Sequence, residues 1–202
     1  MESCIKLHDL YMLVGDLKRL KRTGWVLCGV GDGYPESVAD HMYRMGFMAM
    51  TLPLKDFEDS AGLEGDRVVK LCLVHDVAEA IVGDLIVGRD GVTKKNKHQL
   101  ESDAIEKMKT DLDPHTAKMF QDLWLEYENQ TSSEAELAKD LDKYDMILQA
   151  HDYEIRDKCP GKLQQFFDST EGSFKYTCVK NLVQVLYDKR KKWIESSEAV
   201  QS

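Results

Sequence analysis

The stretch VHDVAEAIVGD, residues Val74–Asp84, decides how this chain folds. Its apolar residues are those of a buried helix, but four polar side chains interrupt them: His75, Asp76, Glu79 and Asp84. Burying carboxylates is unfavourable unless a counter-charge lies nearby. His75 and Glu79 are four residues apart, so they share one face of a helix. We therefore expect this helix to contribute to a polar site. A divalent cation such as manganese, iron, cobalt or zinc is the counter-charge that imidazole and carboxylate suit.

The composition predicts one globular domain. The 202 residues are 43% apolar and 31% charged, which is ordinary for a chain with a substantial core. The formal net charge of −9 argues against a surface for a nucleic-acid polymer, which requires a basic face. The first ten residues lack the apolar centre of a secretory signal, and no apolar run is long enough to span a membrane. Five cysteines without a C-x-x-C pair indicate free thiols and a cytoplasmic location.

Helical periodicity dominates the rest of the chain. Apolar residues recur at spacings of three and four, and no segment alternates as a strand does. We predict helices over residues 7–21, 37–52, 66–82, 96–112, 114–128, 133–155, 163–168 and 176–196, with glycine-rich loops at 24–35 and 83–95. The expected fold is one all-α domain over residues 1–202. It is a bundle of roughly six to eight helices with its core at about 7–196 and a frayed tail from Glu198.

The His-Asp dipeptide occurs three times, as His8-Asp9, His75-Asp76 and His151-Asp152. We interpret the first and the last as surface pairs, because one is near a terminus and the other is near the end of a polar helix. The second copy, His75-Asp76, has apolar neighbours on both sides and a glutamate, Glu79, one helical turn later. His41 also lies on an apolar face, in the predicted second helix. Spacing alone leaves open whether these residues form a metal site or an ordinary polar cluster.

Two other motifs are given structural interpretations. The glycine-rich run at Gly29–Gly33 has no strand before it, so we read it as a flexible connection and not as a phosphate-binding loop. The pair Lys97-His98 is read as the solvated start of a helix.

Three blocks resemble the HD-domain metal-dependent phosphohydrolases: ESVADHMYRM (36–45), LVHDVAEAIVGD (73–84) and LAKDLDKYDMILQA (137–150). The pattern is a histidine, a later His-Asp pair and a distant aspartate, each on a different helix. Further blocks at 22–26, 123–143 and 160–170 are similar to the 5′-deoxynucleotidase branch of that family. The resemblance thus covers nearly the whole chain and implies the all-α fold of the family.

The resemblance implies four ligands for one divalent metal: His41, His75, Asp76 and Asp142. It selects Asp142, which spacing does not distinguish from Asp140 and Asp145 on the same helix. It also implies catalytic roles for two carboxylates. Glu79 corresponds to the residue that handles the proton of the attacking water, and Asp84 to a carboxylate near the reacting phosphate.

Arg22 and Trp25 correspond to the arginine and tryptophan that contact the substrate phosphate and sugar. Here two residues separate them, whereas bacterial relatives have them adjacent, so the division of roles between Arg22 and its neighbours stays open. The loop after Asp84 also departs from the family, because GDLIVGRDG lacks the proline that relatives tend to have.

The implied activity is hydrolysis of deoxyribonucleoside 5′-monophosphates to deoxynucleoside and phosphate, by a homodimer. Two alternatives remain. One is an HD-domain phosphohydrolase that acts on nucleoside triphosphates or cyclic nucleotides. The other is a non-catalytic protein that binds metal or nucleotide, although Glu79 and Asp84 favour catalysis because a pure sensor needs only the metal ligands.

Overall fold

The computed structural model describes residues 1–30 and 34–201. Within these ranges the chain forms ten α-helices: α1 (Glu2–Val14), α2 (Thr23–Cys28), α3 (Val38–Thr51), α4 (Gly65–Val74), α5 (Glu79–Val82), α6 (Lys94–Lys109), α7 (Pro114–Asn129), α8 (Ser133–Arg156), α9 (Gln164–Thr170) and α10 (Thr177–Gln201). The described residues contain no strand, and an isolated bridge joins Lys21 and Ser37. The predicted all-α fold is confirmed. The number of helices exceeds the prediction because α2 was not predicted and because the third predicted helix is divided into α4 and α5.

Helix α3 starts where the sequence predicts. Ser37 accepts a hydrogen bond from the backbone N–H of Asp40, and the Asp40 carboxylate accepts one from the backbone N–H of Ser37. This reciprocal capping box satisfies two donors that the helix cannot satisfy itself. The inner face of α3 is buried against α4 and α8 and includes His41, which is fully buried.

The third predicted helix is not continuous. Helix α4 ends at Val74, and the next hydrogen bonds, such as those from Val77 to Val74 and from Glu79 to Asp76, span three residues instead of four. Such tighter turns place residues three apart nearly above one another. The prediction of one helix over 66–82 is therefore wrong, and Asp76 lies in a turn between α4 and α5.

The glycine-rich segment at 24–35 is not entirely a loop. Helix α2 occupies its first part and buries Trp25 among other core residues. The helix ends at Gly29, whose φ of 59° is left-handed and favours glycine at this cap. The flexible connection predicted for Gly29–Gly33 falls largely on residues 31–33, which lie outside the described residues.

Helices α8 and α10 have ends close to those predicted. The Ser132 side chain accepts the backbone N–H of Ala135 and so caps α8, while Glu136 pairs with Lys175. Helix α10 continues to Gln201, beyond the predicted end near Ser196, while fraying of the tail stays a prediction. The described helices include none that is both long enough and apolar enough to cross a membrane.

The buried apolar residues form two clusters. The larger one is enclosed chiefly by α3, α4, α8 and α10, and the smaller one by α1, α3, α6 and the turn before α5. On α3, Met45 belongs to the larger cluster and Met42 to the smaller, with His41 beside them. On either side of His75, Cys72 belongs to the larger cluster and Val77 to the smaller one. Both histidines therefore lie at the seam between the two clusters.

Candidate active site

Three ligand-type side chains from three helical segments meet at this seam. Ring nitrogens of His41 and His75 and a carboxylate oxygen of Asp142 lie within 4.8 Å of one another. Nε2 of each histidine is buried and has no hydrogen-bond partner among the described residues. The Asp76 carboxylate completes the group, because its Oδ2 lies 3.0 Å from Nε2 of His75 and 3.8 Å from Nε2 of His41.

Hydrogen bonds on the other side of each ring orient these free nitrogens. Nδ1 of His41 is 2.7 Å from Oδ2 of Asp145, which Arg44 also contacts. Nδ1 of His75 is 2.9 Å from the carbonyl oxygen of Cys72, so this nitrogen carries the proton and donates. Such outer partners fix the tautomer and aim the second nitrogen at the site. Asp145 thus orients a ligand.

Asp140, which spacing alone did not distinguish from Asp142 on the same helix, faces away from the site. It accepts the backbone N–H groups of Lys175 and Tyr176 at 2.6 and 2.9 Å. Asp142 instead accepts hydrogen bonds from the hydroxyl of Tyr127 at 2.9 Å and from Lys139 at 2.8 Å. Although burial opposes ionisation, Lys139 and His41 hold the pKa of Asp142 well below its usual range. It is therefore a carboxylate at neutral pH.

The protonation of His41 follows from its neighbours. Burial and the positive charge of Arg22 both lower its pKa, but Asp142 and Asp145 outweigh them and raise it to about 9. Asp76 is likewise ionised, because His75 and Arg22 lower its pKa despite burial. The Arg22 contact is direct, at 3.2 Å from Nη1 to Oδ2 of Asp76.

These residues fit a divalent cation. Two buried imidazole nitrogens lack partners, and two ionised carboxylates adjoin them, so a cation would satisfy the nitrogens and balance the charge. Imidazole and carboxylate together suit manganese, iron, cobalt and zinc.

Glu79 is the next acidic group along the chain. It is only 2% exposed, its Oε2 has no hydrogen-bond partner within the described part of the chain, and its Oε1 is 3.6 Å from Nζ of Lys97. Burial, and then the charges of Asp76 and Asp84, raise its pKa well above the usual range of a glutamate. A carboxyl group in such a setting exchanges protons at higher pH than an exposed one, which suits general acid–base chemistry.

Lys97 was predicted to lie on a solvated helix start, and this is wrong. Its ammonium group lies between the buried carboxylates of Glu79 and Glu101, at 3.6 and 3.5 Å. Its neighbour His98 does lie at the rim, where it stacks on Trp124 and is 3.3 Å from Glu128.

A cavity of about 380 Å³ opens onto the cluster. Its lining combines polar and apolar side chains: Arg22, Gly24, Trp25, Asp76, Glu79, Asp84, Ile86, Lys97, Lys139, Asp142, Lys143, Met146 and Phe166. A larger cavity of about 670 Å³ lies between α9 and α10, but its lining includes no histidine or cysteine. The smaller cavity is therefore the one that carries chemistry.

The two remaining predicted residues line the cavity in different ways. Asp84 accepts the backbone N–H of Thr23 at 2.6 Å, so it ties the loop after α5 to the start of α2. Trp25 is only 2% exposed, and its indole N–H donates to Glu36 at 2.8 Å. Each site residue predicted from the sequence thus lies in the cluster or lines the cavity.

Seven lining residues were not predicted as part of the site: Gly24, Ile86, Lys97, Lys139, Lys143, Met146 and Phe166. A periodic signal existed for two of them, since Lys139 precedes Asp142 by three residues and Met146 follows it by four, so both share its helix face. Lys97 and Phe166 reach the cavity from α6 and α9, whose relation to the site only the tertiary structure reveals.

Comparison with known proteins places this site in context. A family model described as "HD domain" matches residues 14–181. The protein named 5′-deoxynucleotidase HDDC2 from Homo sapiens is 47% identical over 178 residues, which cover 88% of this chain and 83% of the human protein. Its namesake from Danio rerio is 47% identical over 182 residues, which cover 90% and 86% of the two chains. A solved structure of a conserved hypothetical protein from Pyrococcus furiosus superposes with a TM-score of 0.70 at 32% identity, over 91% of this chain and 98% of that one.

Proposed function

The chain belongs to the HD-domain family, and from that membership and the geometry of the site we propose that it is a metal-dependent 5′-deoxynucleotidase. The resemblance stated from the sequence is confirmed by these relatives. The substrates would be deoxyribonucleoside 5′-monophosphates, and the products a deoxynucleoside and inorganic phosphate.

One observation carries the proposal most directly. Two buried imidazole nitrogens without partners face two ionised carboxylates at the wall of a cavity that Arg22 and Glu79 also line. A structural polar cluster would have its ring nitrogens hydrogen-bonded, because an unsatisfied buried polar group is unfavourable by about 1–3 kcal/mol. The arrangement therefore supports a binding site, and the named relatives identify its chemistry.

In this proposal His41, His75, Asp76 and Asp142 hold one divalent cation. When bound, the cation supplies Lewis acidity, which polarises a phosphoryl oxygen and acidifies water. The net charge of the four ligands, two neutral imidazoles and two carboxylates, balances that of the cation. Binding requires the nitrogen of each histidine that faces the cation to be unprotonated.

The protein's own residues then perform the hydrolysis. Glu79 accepts the proton of the attacking water, whose oxygen forms a bond to phosphorus while the bond from phosphorus to the 5′ oxygen breaks. The proton is passed to the departing 5′ oxygen, so the reaction consumes one water. Arg22 donates hydrogen bonds to the phosphate through its planar fork, and Asp84 holds the adjoining loop against α2.

Selection for a deoxy sugar is proposed for Trp25. Because the ring is almost fully buried, it would act as a fixed wall that crowds a 2′ hydroxyl. The variant Trp25→Ala should then hydrolyse ribonucleotides relatively better than the unaltered protein does. If the deoxy-to-ribo ratio of kcat/KM is unchanged in this variant, Trp25 is not the residue that selects the deoxy sugar.

The function is tested by phosphate release from a panel of nucleotides. Purified protein is assayed with deoxy- and ribonucleoside monophosphates, nucleoside triphosphates and cyclic nucleotides, each with and without added manganese, cobalt and zinc, while elemental analysis gives the bound metal. We expect metal-dependent release from deoxynucleoside monophosphates. Preference for triphosphates or cyclic nucleotides would assign another phosphohydrolase activity, and a metal-loaded protein that hydrolyses none of them would be a binding protein.

We also propose a homodimer located in the cytoplasm. The outer face of α3 exposes three large apolar side chains at spacings of four and three, Tyr43, Phe47 and Met50, and Leu73 of α4 is exposed nearby. A surface of this kind is typical of an interface. Sedimentation analysis should show a dimer that Phe47→Glu converts to monomer, whereas Met119→Glu, at an exposed site on α7, leaves it intact.

A further inference from the structure

Three apolar residues of the cavity have no part in the proposed hydrolysis: Ile86, Met146 and Phe166. Met146 lies one turn after Asp142 on α8, and Phe166 comes from α9. A phosphate, a metal and a water need polar partners, so none of them explains an apolar wall. A deoxynucleoside monophosphate has one further part of matching chemistry, the aromatic base.

The aromatic side chains of the cavity differ in what they can offer a ligand. Trp25 is 2% exposed, and its one polar group is committed to Glu36. Phe166 is partly exposed and packs on Trp25, with their ring centroids 4.5 Å apart and their planes inclined by 45°. Trp25 in turn rests against Tyr153 at 5.3 Å. Phe166 is therefore the ring of the lining with the larger exposed face, and it is backed by Trp25 and Tyr153.

Phe166 also lies next to the helix that begins at the proposed phosphate ligand. It contacts the start of α2, since a Cβ atom on Gly24 would lie 3.9 Å from its Cε1. Arg22, which is proposed to bind the phosphate, is the residue that caps the same helix. The proposed phosphate site and the exposed ring thus adjoin the same end of α2.

We propose that Phe166, supported by Trp25 and flanked by Met146, is the surface on which the nucleobase stacks. This inference rests on the proposed function. Stacking on a ring without donors or acceptors recognises the face of a base and not its edge, so it tolerates all four bases. The three lysines of the lining do not add edge recognition, because each is paired with a carboxylate. Lys97 pairs with Glu79 and Glu101, Lys139 with Asp142, and Lys143 with Asp140. KM should therefore differ little among the four deoxynucleoside monophosphates.

The test compares deoxyadenosine monophosphate with 2-deoxyribose 5-phosphate, which has the same phosphate and sugar but no base. In Phe166→Ala, KM for the nucleotide should rise about tenfold, as expected for the loss of one stacked base. KM for the sugar phosphate should stay the same. Gln165→Ala, at an exposed neighbour on α9, is the matched control and should alter neither value.

A binding measurement separates this inference from the proposed function. Calorimetric titration of both compounds into Glu79→Gln, with and without Phe166→Ala, reports affinity without turnover. A base-dependent loss of affinity supports the role of Phe166 even if the protein hydrolyses neither compound, a result that would sink the nucleotidase proposal alone. An equal loss for both compounds would show only a disturbed α9, and unchanged affinity for the nucleotide would place the base elsewhere. Either result overturns the inference.

Discussion

The same dipeptide occurs at two buried histidines of this protein with different results. At His75-Asp76 and at His151-Asp152 the histidine is more than nine-tenths buried and has a ring nitrogen without a partner among residues 1–30 and 34–201. His75 lies beside its neighbour Asp76 and faces Asp142 and a second imidazole from other helices. His151 instead packs its ring edge-to-face with Trp193, at a centroid distance of 5.7 Å. The prediction that the His151 pair lies at the surface is therefore wrong for the histidine, while Asp152 is exposed.

The residues one helical turn after each histidine also differ between the two copies. Four residues after His75 is Glu79, a buried carboxylate, whereas four residues after His151 is Ile155, which is 45% exposed. No carboxylate array gathers around His151 in the described residues; its charged neighbours Glu154 and Arg190 are paired with each other. A metal site thus depends on partners that other helices bring to the histidine, and the dipeptide alone does not define one.

The largest expected difference between the two copies concerns the aspartate. Asp76→Asn keeps the shape but removes a ligand charge, so bound metal should be lost and turnover should fall at least about a thousandfold. Asp152→Asn should change activity by no more than about twofold, as for an ordinary surface substitution. Elemental analysis and phosphate release measure both effects. Equal losses in the two variants would end the distinction between the copies.

The second test compares Glu79 and Ile155, which lie one helical turn after His75 and His151. Glu79→Gln should lower kcat by about 10²–10⁴-fold, because it removes a proton acceptor, yet it should retain bound metal. Ile155→Gln makes the corresponding change at the other copy and should leave kcat unaltered. If Glu79→Gln releases the metal, then Glu79 is itself a ligand and its proposed role must change.

The third test concerns the hydrogen bond behind His41. Asp145→Asn weakens the bond that orients the ring, so metal affinity should fall about 10–100-fold. Competition with a chelator measures it, and excess metal should restore much of the activity. Asp140→Asn serves as the comparison on the same helix, because it should lower stability through the backbone N–H groups that it caps but leave metal affinity unchanged. A similar loss of affinity in both variants would contradict this division.

Sequence reasoning was most successful where a local pattern determines the structure. The apolar period of α3 placed His41 on a buried face, and the family pattern selected Asp142. It was least successful where the outcome depends on packing between helices. The break after Val74 and the approach of Lys97 to Glu79 depend on contacts between segments far apart in the chain, and no local periodicity encodes them.

The smallest expected effect is on stability and comes from His151. Burial, helped by the positive charge of Arg190, holds the pKa of His151 below the ordinary value of 6.5 although Glu154 and Asp152 raise it. The unfolded chain therefore takes up this proton first as the pH falls, so the stability that neutral His151 provides is present above about pH 6.5 and is lost as the pH falls toward its folded-state pKa. His151→Phe keeps an aromatic ring against Trp193 but removes the titration. Its melting temperature should then fall less steeply than that of the unaltered protein between about pH 7 and pH 5, with kcat unchanged. Parallel melting curves would show that His151 keeps its ordinary pKa, and a loss of kcat would show that this second copy of the dipeptide takes part in the site after all.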